Sequence, residues 1–253
     1  MNYEPRFSHA QPAYREFRPI YPATLFERIL AALAPAHRRR AVDLGAGTGL
    51  SSLPLCDWFE EVIAVEPDAK MAEALHGRHK RLRVLNSMAE RCELPAGSVD
   101  LVTSGTAFHW MDGEQVLERI AGWLQPKGLL AVYRYDFPRL PKQIWYVLRR
   151  EFIEHWGAFR HPRLLDADYT RRTVEKSLKL RVLSVETLPN VWEWDAVRLA
   201  GFCRSTSYGS AYVKSLADPE RYAAELEKAL EDAAHGAPFP VDFALELTLA
   251  RKA

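Results

Sequence analysis

The stretch Ala41-Val42-Asp43-Leu44-Gly45-Ala46-Gly47-Thr48-Gly49 decides how the chain is read. A short apolar run carrying one acid breaks into glycines on alternate positions, the pattern of a buried strand that ends in a turn free of side chains. The following residues, Leu50-Ser51-Ser52-Leu53 and on to Trp58-Phe59, read as a helix. The glycines then sit at a helix N-terminus, where backbone N–H groups face a ligand.

Downstream, Val62-Ile63-Ala64-Val65-Glu66 reads as a second buried strand ending in an acid, followed by Pro67-Asp68 and helical spacing from Ala69 to Leu75. Arg83-Val84-Leu85 is a short third strand. Val99 to Ser104 is a fourth, leading into Gly105-Thr106-Ala107-Phe108-His109-Trp110. Asp112 is placed to cap a helix carrying Val116, Leu117, Ile120 and Leu124, and Gln125-Pro126-Lys127-Gly128 turns the chain into a fifth strand, Leu129 to Tyr133. Upstream, Leu25, Phe26, Ile29, Leu30 and Leu33 fall on one helical face. Apolar strands alternating with helices imply an α/β fold, a doubly wound, mostly parallel sheet covered on both faces.

Past Tyr135 the alternation stops. Residues 137 to about 169 suggest cap helices, Leu180 to Thr187 and Val191-Trp192-Glu193-Trp194 strand pieces, Ala196 to Arg204 a short helix, and Pro219 to Ala233 an amphipathic one. Val241 to Leu249 reads as a strand near the sheet edge, and Trp192 and Trp194 share one strand face as core. The expected organisation is an N-terminal lid segment and first helix (1–35), a cofactor-binding core (36–136), a cap shaping the substrate region (137–239) and a returning strand (240–253).

Composition excludes several functions. Lys and Arg (34) nearly cancel Asp and Glu (33), so nothing draws the chain generally to nucleic acid or an anionic membrane. His37-Arg38-Arg39-Arg40 reads as a helix end complementing the dipole. No run approaches the roughly 18 apolar residues of a membrane span, and the first residues lack the apolar core of a signal peptide. Cys56, Cys92 and Cys203 are odd in number and widely spaced, which fits a reduced, cytoplasmic setting. His76 and His79 lack a third ligand, so no metal site is expected.

A glycine turn with an acid about twenty residues on is how a nucleoside-bearing cofactor is held across the carboxyl ends of a parallel sheet. Dinucleotide sites use Gly-x-Gly-x-x-Gly, whereas Gly45, Gly47 and Gly49 run Gly-x-Gly-x-Gly. Asp43 beside a pyrophosphate would be unfavourable; beside a cation it is favourable. A nicotinamide-dependent oxidoreductase is therefore the weaker alternative.

These residues resemble the class I S-adenosylmethionine-dependent methyltransferases. Val65-Glu66-Pro67 with Met71, Ala89-Glu90 ahead of Leu94-Pro95, Ser98 to Val102, His109-Trp110 and Leu124 to Gly128 follow that family's successive motifs. Phe7, Ala10, Tyr14, Arg18-Pro19 and Tyr21-Pro22 are similar to the trans-aconitate methyltransferase-like group, and Ser205-Thr206-Ser207 loosely matches a serine-rich motif of it. The resemblance covers about residues 7 to 136 well and the rest thinly.

It implies S-adenosyl-L-methionine as cofactor, with Glu66 on the ribose hydroxyls and the Gly45-Ala46-Gly47 backbone beside the ribose and methionine portion. Asp43 would orient the turn or reach the methionine amine. Ala89 would meet the adenine with Met88 packed on the ring, although many relatives carry Asp at the Met88 position. Pro67, Thr103 and Tyr14 complete the cofactor set. Lys127 stands where a glycine is common, a departure expected to be harmless. A carboxylate acceptor needs no base, whereas a phenol or amine would use His109. Trp110 would close over the site, and Arg18 and Arg134 would hold a substrate carboxylate. The expected function is methylation of a small-molecule acceptor, foremost O-methylation of a carboxylate. The expected protein is a monomer or homodimer without nucleic-acid or membrane partners. A binding protein without transferase activity is the alternative from another class.

Overall fold

The computed structural model describes residues 16–252 except Pro35, His37 and Ala167. Tyr14, and Phe7 and Ala10 before it, lie outside the described residues. In chain order the elements are α1 (Ala23–Ala32), β1 (Arg40–Leu44), α2 (Ser52–Leu55), β2 (Glu61–Val65), α3 (Ala69–Leu75), β3 (Leu82–Leu85), β4 (Val99–Gly105), α4 (Gly113–Trp123) and β5 (Leu124–Tyr135). There follow α5 (Lys142–Glu151), α6 (Tyr169–Lys176), β6 (Leu180–Leu188), β7 (Val191–Trp194), α7 (Ala196–Ser205), α8 (Ser207–Ser215), α9 (Pro219–Ala234), β8 (Phe239–Asp242) and β9 (Leu245–Lys252).

The seven-stranded sheet has the order β3-β2-β1-β4-β5-β9-β6. The first five strands run parallel, and β9 is antiparallel to both β5 and β6. From β1 the chain winds outward through β2 and β3, then crosses back to β4 on the other side of β1. Their carboxyl ends therefore splay apart at a switch of direction, the place where such sheets bind ligands. The strands read as continuous apolar runs because both faces are buried. Ala41, Leu101, Leu129, Ala131 and Tyr133 point into one core. Val42, Leu44, Val102, Leu130 and Val132 point into the other.

Three expectations change. The region 137–239, expected as a cap, also supplies β6 to the main sheet as its edge strand. The closing strand lies between β5 and β6, with Leu245, Leu247 and Leu249 buried, and residues 239–242 instead pair with β7 in a separate two-stranded ribbon. The exchange has a physical reason: β6 alternates buried-to-exposed character along its length, as an edge strand does. Its period marked a strand without marking its neighbours. The long helix expected after the glycine turn shortens to one turn, Ser52–Leu55.

The basic run does not lie on a helix end: α1 has no basic residue in its last turn, and of the run's described residues only the Arg38 side chain reaches that helix. Arg38 donates to the Leu30 carbonyl of α1 at 3.1 Å, while Arg39 and Arg40 give their backbone N–H groups to Asp100 at 2.9 and 2.7 Å. Asp112 caps α4 by accepting from the Gln115 N–H. Trp194 is fully buried and Trp192 partly so.

Lys127 is not harmless. It sits at φ +67° in an irregularity of β5 where a side chain meets left-handed backbone strain. That conformation costs a non-glycine residue about 1–2 kcal/mol. Lys127→Gly, at this exposed position, is expected to raise unfolding free energy by about 1 kcal/mol in urea titration, net of the extra chain entropy glycine brings.

Candidate cofactor and acceptor site

Gly45, Gly47 and Gly49 have φ of +70°, +56° and +89°. A Cβ on Gly45 would lie 2.5 Å from the Ala107 Cβ, so the turn and the loop after β4 pack at a distance only glycine permits. The Gly45 and Ala46 N–H groups donate to the Val65 carbonyl at 2.9 and 3.2 Å, which fixes the turn against the end of β2.

Two buried carboxylates hold this turn. Asp43 accepts the Ser52 hydroxyl at 2.5 Å and the Thr103 hydroxyl at 2.9 Å, joining β1, α2 and β4 at one point. Glu66 accepts the Gly47 N–H at 2.7 Å on one oxygen and the Asp68 N–H at 2.9 Å on the other. Burial pushes Asp43 up to about 6, against the lowering effect of its two hydroxyl donors. Burial likewise pushes Glu66 up to about 7, opposed by the Asp68 and Gly47 N–H groups.

Of the remaining cofactor candidates, Pro67 is half-buried at the end of β2, its carbonyl accepting from Asn86 as the Glu66 carbonyl does. Met88 is the cap of a 3-10 turn over Ala89–Arg91, in which Ala89 is buried. Thr103 lies wholly inside the sheet with its hydroxyl on Asp43, so it supports the turn from beneath.

The four acceptor-side candidates come together. Arg18, His109, Trp110 and Arg134 all line one cleft of about 100 Å³ beyond the ends of β4 and β5. Arg18 donates to the Ser205 carbonyl at 2.9 Å and reaches the Tyr135 hydroxyl at 3.4 Å. Arg134 is ion-paired with Asp136. His109 is buried at the wall of the cleft. Desolvation first, then the positive charges of Arg134 and Arg163 with His161 and Arg18, push its pKa down to about 3. Burial beside these cations disfavours the protonated imidazole.

Several residues at the site had no sequence signal. Thr106 adopts φ +51°, strained for a β-branched residue, and is held there by its N–H on the Tyr133 carbonyl (2.7 Å) and its hydroxyl 3.1 Å from that of Tyr21. Arg163 donates to the Met111 carbonyl at 3.1 Å and the Tyr169 hydroxyl bonds the same carbonyl at 3.1 Å, so cap residues fix the loop bearing His109 and Trp110. Arg160, also in the cleft, could have been found only from the tertiary fold. His76 ends α3 rather than sharing a helix with His79, and among the described residues no cluster suited to a metal ion occurs.

With this geometry in place, comparison with known proteins is specific. Residues 42–132 match a methyltransferase domain. The match runs from β1 into β5. A solved structure of a candidate type II methyltransferase from Anaeromyxobacter dehalogenans is 27% identical, covering 93% of this chain and 98% of that one, with a TM-score of 0.75. An uncharacterized methyltransferase of Mycobacterium tuberculosis is 35% identical over 126 residues, half of each protein. Geranyl diphosphate methyltransferase, solved in complex with S-adenosylmethionine, shares the fold at 15% identity and a TM-score of 0.50, covering 91% of this chain and 85% of that one. The chain spans about half the length of the curated relatives it matches. The sheet with its flanking helices is the Rossmann-like methyltransferase fold.

The raised carboxyls set a direction for stability. A carboxyl whose folded pKa lies above its unfolded value stabilises the fold fully below the unfolded value and loses that contribution as pH rises through the folded one. For Asp43 and Glu66 that window runs from roughly pH 4 to about 6 and about 7. Urea titrations of the ligand-free protein should therefore show stability falling between about pH 4 and about 7 and levelling off above it, with a shallower fall in Glu66→Gln.

Proposed function

We propose that the chain is an S-adenosylmethionine-dependent methyltransferase that O-methylates a carboxylate on a small-molecule acceptor. The observation that carries the cofactor reading is Glu66. It is a buried carboxylate at the end of β2, each oxygen accepting one backbone N–H and retaining a further lone pair. That pair of acceptor oxygens suits two vicinal ribose hydroxyls, which would donate to it. Two acids at the turn suit a cation and oppose a pyrophosphate, which favours a sulfonium nucleoside over a nicotinamide dinucleotide. The related geranyl diphosphate enzyme's complex with S-adenosylmethionine supports the same choice.

In this reading Glu66 holds the ribose, Gly45 to Gly47 with Pro67 lie along the nucleoside, Met88 and Ala89 border the adenine, and Asp43 with Thr103 keep the turn in shape. The bound cofactor supplies an electrophilic methyl group on sulfur. The chain's part is alignment and exclusion of water, since displacement at a methyl carbon gains most from both. An ionised carboxylate attacks with its own lone pair and loses no proton, consistent with a cleft whose histidine is held neutral. Arg18 and Arg134 give the cleft its positive potential, and Trp110 forms one wall. The protein is read as a cytoplasmic monomer or homodimer; among the described residues no helix is long and apolar enough to cross a membrane.

Calorimetry tests the cofactor half. S-adenosylmethionine should bind and NAD should not, and Glu66→Ala should weaken binding by roughly ten- to a hundredfold, the loss of hydrogen bonds to a charged acceptor. Ribose hydroxyls favour the ionised carboxyl, so affinity should fall below pH about 7 and binding near neutrality should release a proton. No measurable S-adenosylmethionine binding would overturn the reading. Release of S-adenosylhomocysteine on a panel of carboxylic acids, phenols and amines separates an enzyme from a binding protein.

A further inference from the structure

The acceptor cleft is lined by three guanidinium groups, Arg18, Arg134 and Arg160, against one carboxylate, Asp136. These cations are not equivalent. Arg134 is engaged by Asp136. Arg18 ties the N-terminal segment to the end of α7 through the Ser205 carbonyl and lies over the Phe202 ring, 5.2 Å from its centroid. Arg160 is held otherwise. Its guanidinium makes no hydrogen bond and no ion pair among the described residues, and its Nε is shut off from solvent without a partner. Only ring faces orient it, Phe152 at 5.6 Å and Tyr208 at 5.8 Å.

Ring faces orient a guanidinium but do not satisfy its five N–H donors. A half-enclosed cleft with surplus positive charge and a pre-oriented, hydrogen-bond-free fork is a recognition site for a planar or tetrahedral oxyanion. The reacting end of the cleft is marked separately, by Thr106 and His109 in the loop whose Ala107 packs on Gly45. A guanidinium clamped on the attacking oxygen would withdraw the electron density that the displacement needs. We infer that Arg160 is the specificity-determining residue of the acceptor site, binding an anionic group of the acceptor, carboxylate or phosphate, other than the oxygen that receives the methyl group. The inference rests on the methyltransferase reading above and assigns the acceptor's second point of attachment.

Such binding is equal in ground and transition states, so its loss raises KM and leaves kcat almost unchanged. The test uses the full chain saturated with S-adenosylhomocysteine. It is titrated calorimetrically with dicarboxylates from malonate to glutarate, with their monomethyl esters, and with phosphoglycolate beside glycolate. The diacid arm reports a carboxylate site and the phosphoglycolate arm a phosphate site. The wild type should bind the more highly charged member of at least one pair about tenfold or more tightly than its singly charged partner. Arg160→Ala should abolish that preference, Arg160→Lys should retain part of it, and Arg160→Gln, which keeps the stem over the rings, guards against a folding defect. Arg139→Ala, outside the cleft, should behave as wild type. On any acceptor that turns over, Arg160→Ala should raise KM about tenfold with kcat within about twofold. Absence of the preference in wild type, its survival in Arg160→Ala, or a loss confined to kcat would overturn the assignment. Failure to bind S-adenosylhomocysteine would instead overturn the methyltransferase reading, while the anion titrations of the ligand-free chain would still report on Arg160.

Discussion

Two carboxylates taken out of water at the ends of neighbouring strands hold the rest of the site in place. Asp43 and Glu66 are buried, and such groups persist only where donors surround them. The donors here are the Ser52 and Thr103 hydroxyls and the Gly47 and Asp68 N–H groups, drawn from α2, β4, the glycine turn and the start of α3. One pair of desolvated acids thus specifies where four elements meet. Because desolvation exceeds the donors' effect and leaves both pKa values raised, the arrangement is held under electrostatic tension that a nearby positive charge relieves.

That tension has a counterpart across the crevice. The turn between β1 and β2 is acidic, while the cleft beyond β4 and β5 is lined by guanidinium groups. Between them runs the loop after β4, strained at Thr106 and packed at Ala107 against Gly45. A cationic cofactor and an anionic acceptor would each meet the opposite sign, and their reacting ends would face each other over that loop. His109 feels the same division: burial first, and then the charges on the acceptor side, lower its pKa, which suits an acceptor that carries its own negative charge.

The cofactor half was legible in the sequence because its signals are local. The strand, glycine turn and acid fall within residues 41–66, and a short segment is enough to express a buried strand, a backbone conformation that demands glycine, and a cap. Asp112 as a cap and Ala69–Leu75 as a helix were readable for the same reason. Strand order at the far edge was not, since β6 and β9 declare themselves as strands by period and say nothing about which lies inside. Lys127 shows a subtler limit: a turn can be read from its prolines and glycines while the residue carrying positive φ is not. The His109 pKa depends on arginines at positions 18, 134 and 163, which only the fold assembles.

The acceptor half is built almost wholly by such distant contacts. Arg18 reaches Ser205, Arg163 reaches Met111, Tyr21 meets Thr106, and the Phe17 ring lies where a Cβ on Gly201 would stand. Each contact joins two of three parts, the N-terminal segment, the cap and the core, so the acceptor cleft exists only when those parts dock. The cofactor turn needs none of them: its carboxylates and their donors all lie between β1 and β4. The division matches the extent of the methyltransferase-domain match, which stops at residue 132. One half of the site is thus fixed within the strands and turns of the core, by hydrogen bonds around two buried acids. The other can change its chemistry through single cap residues such as Arg160 without disturbing the seat of the cofactor.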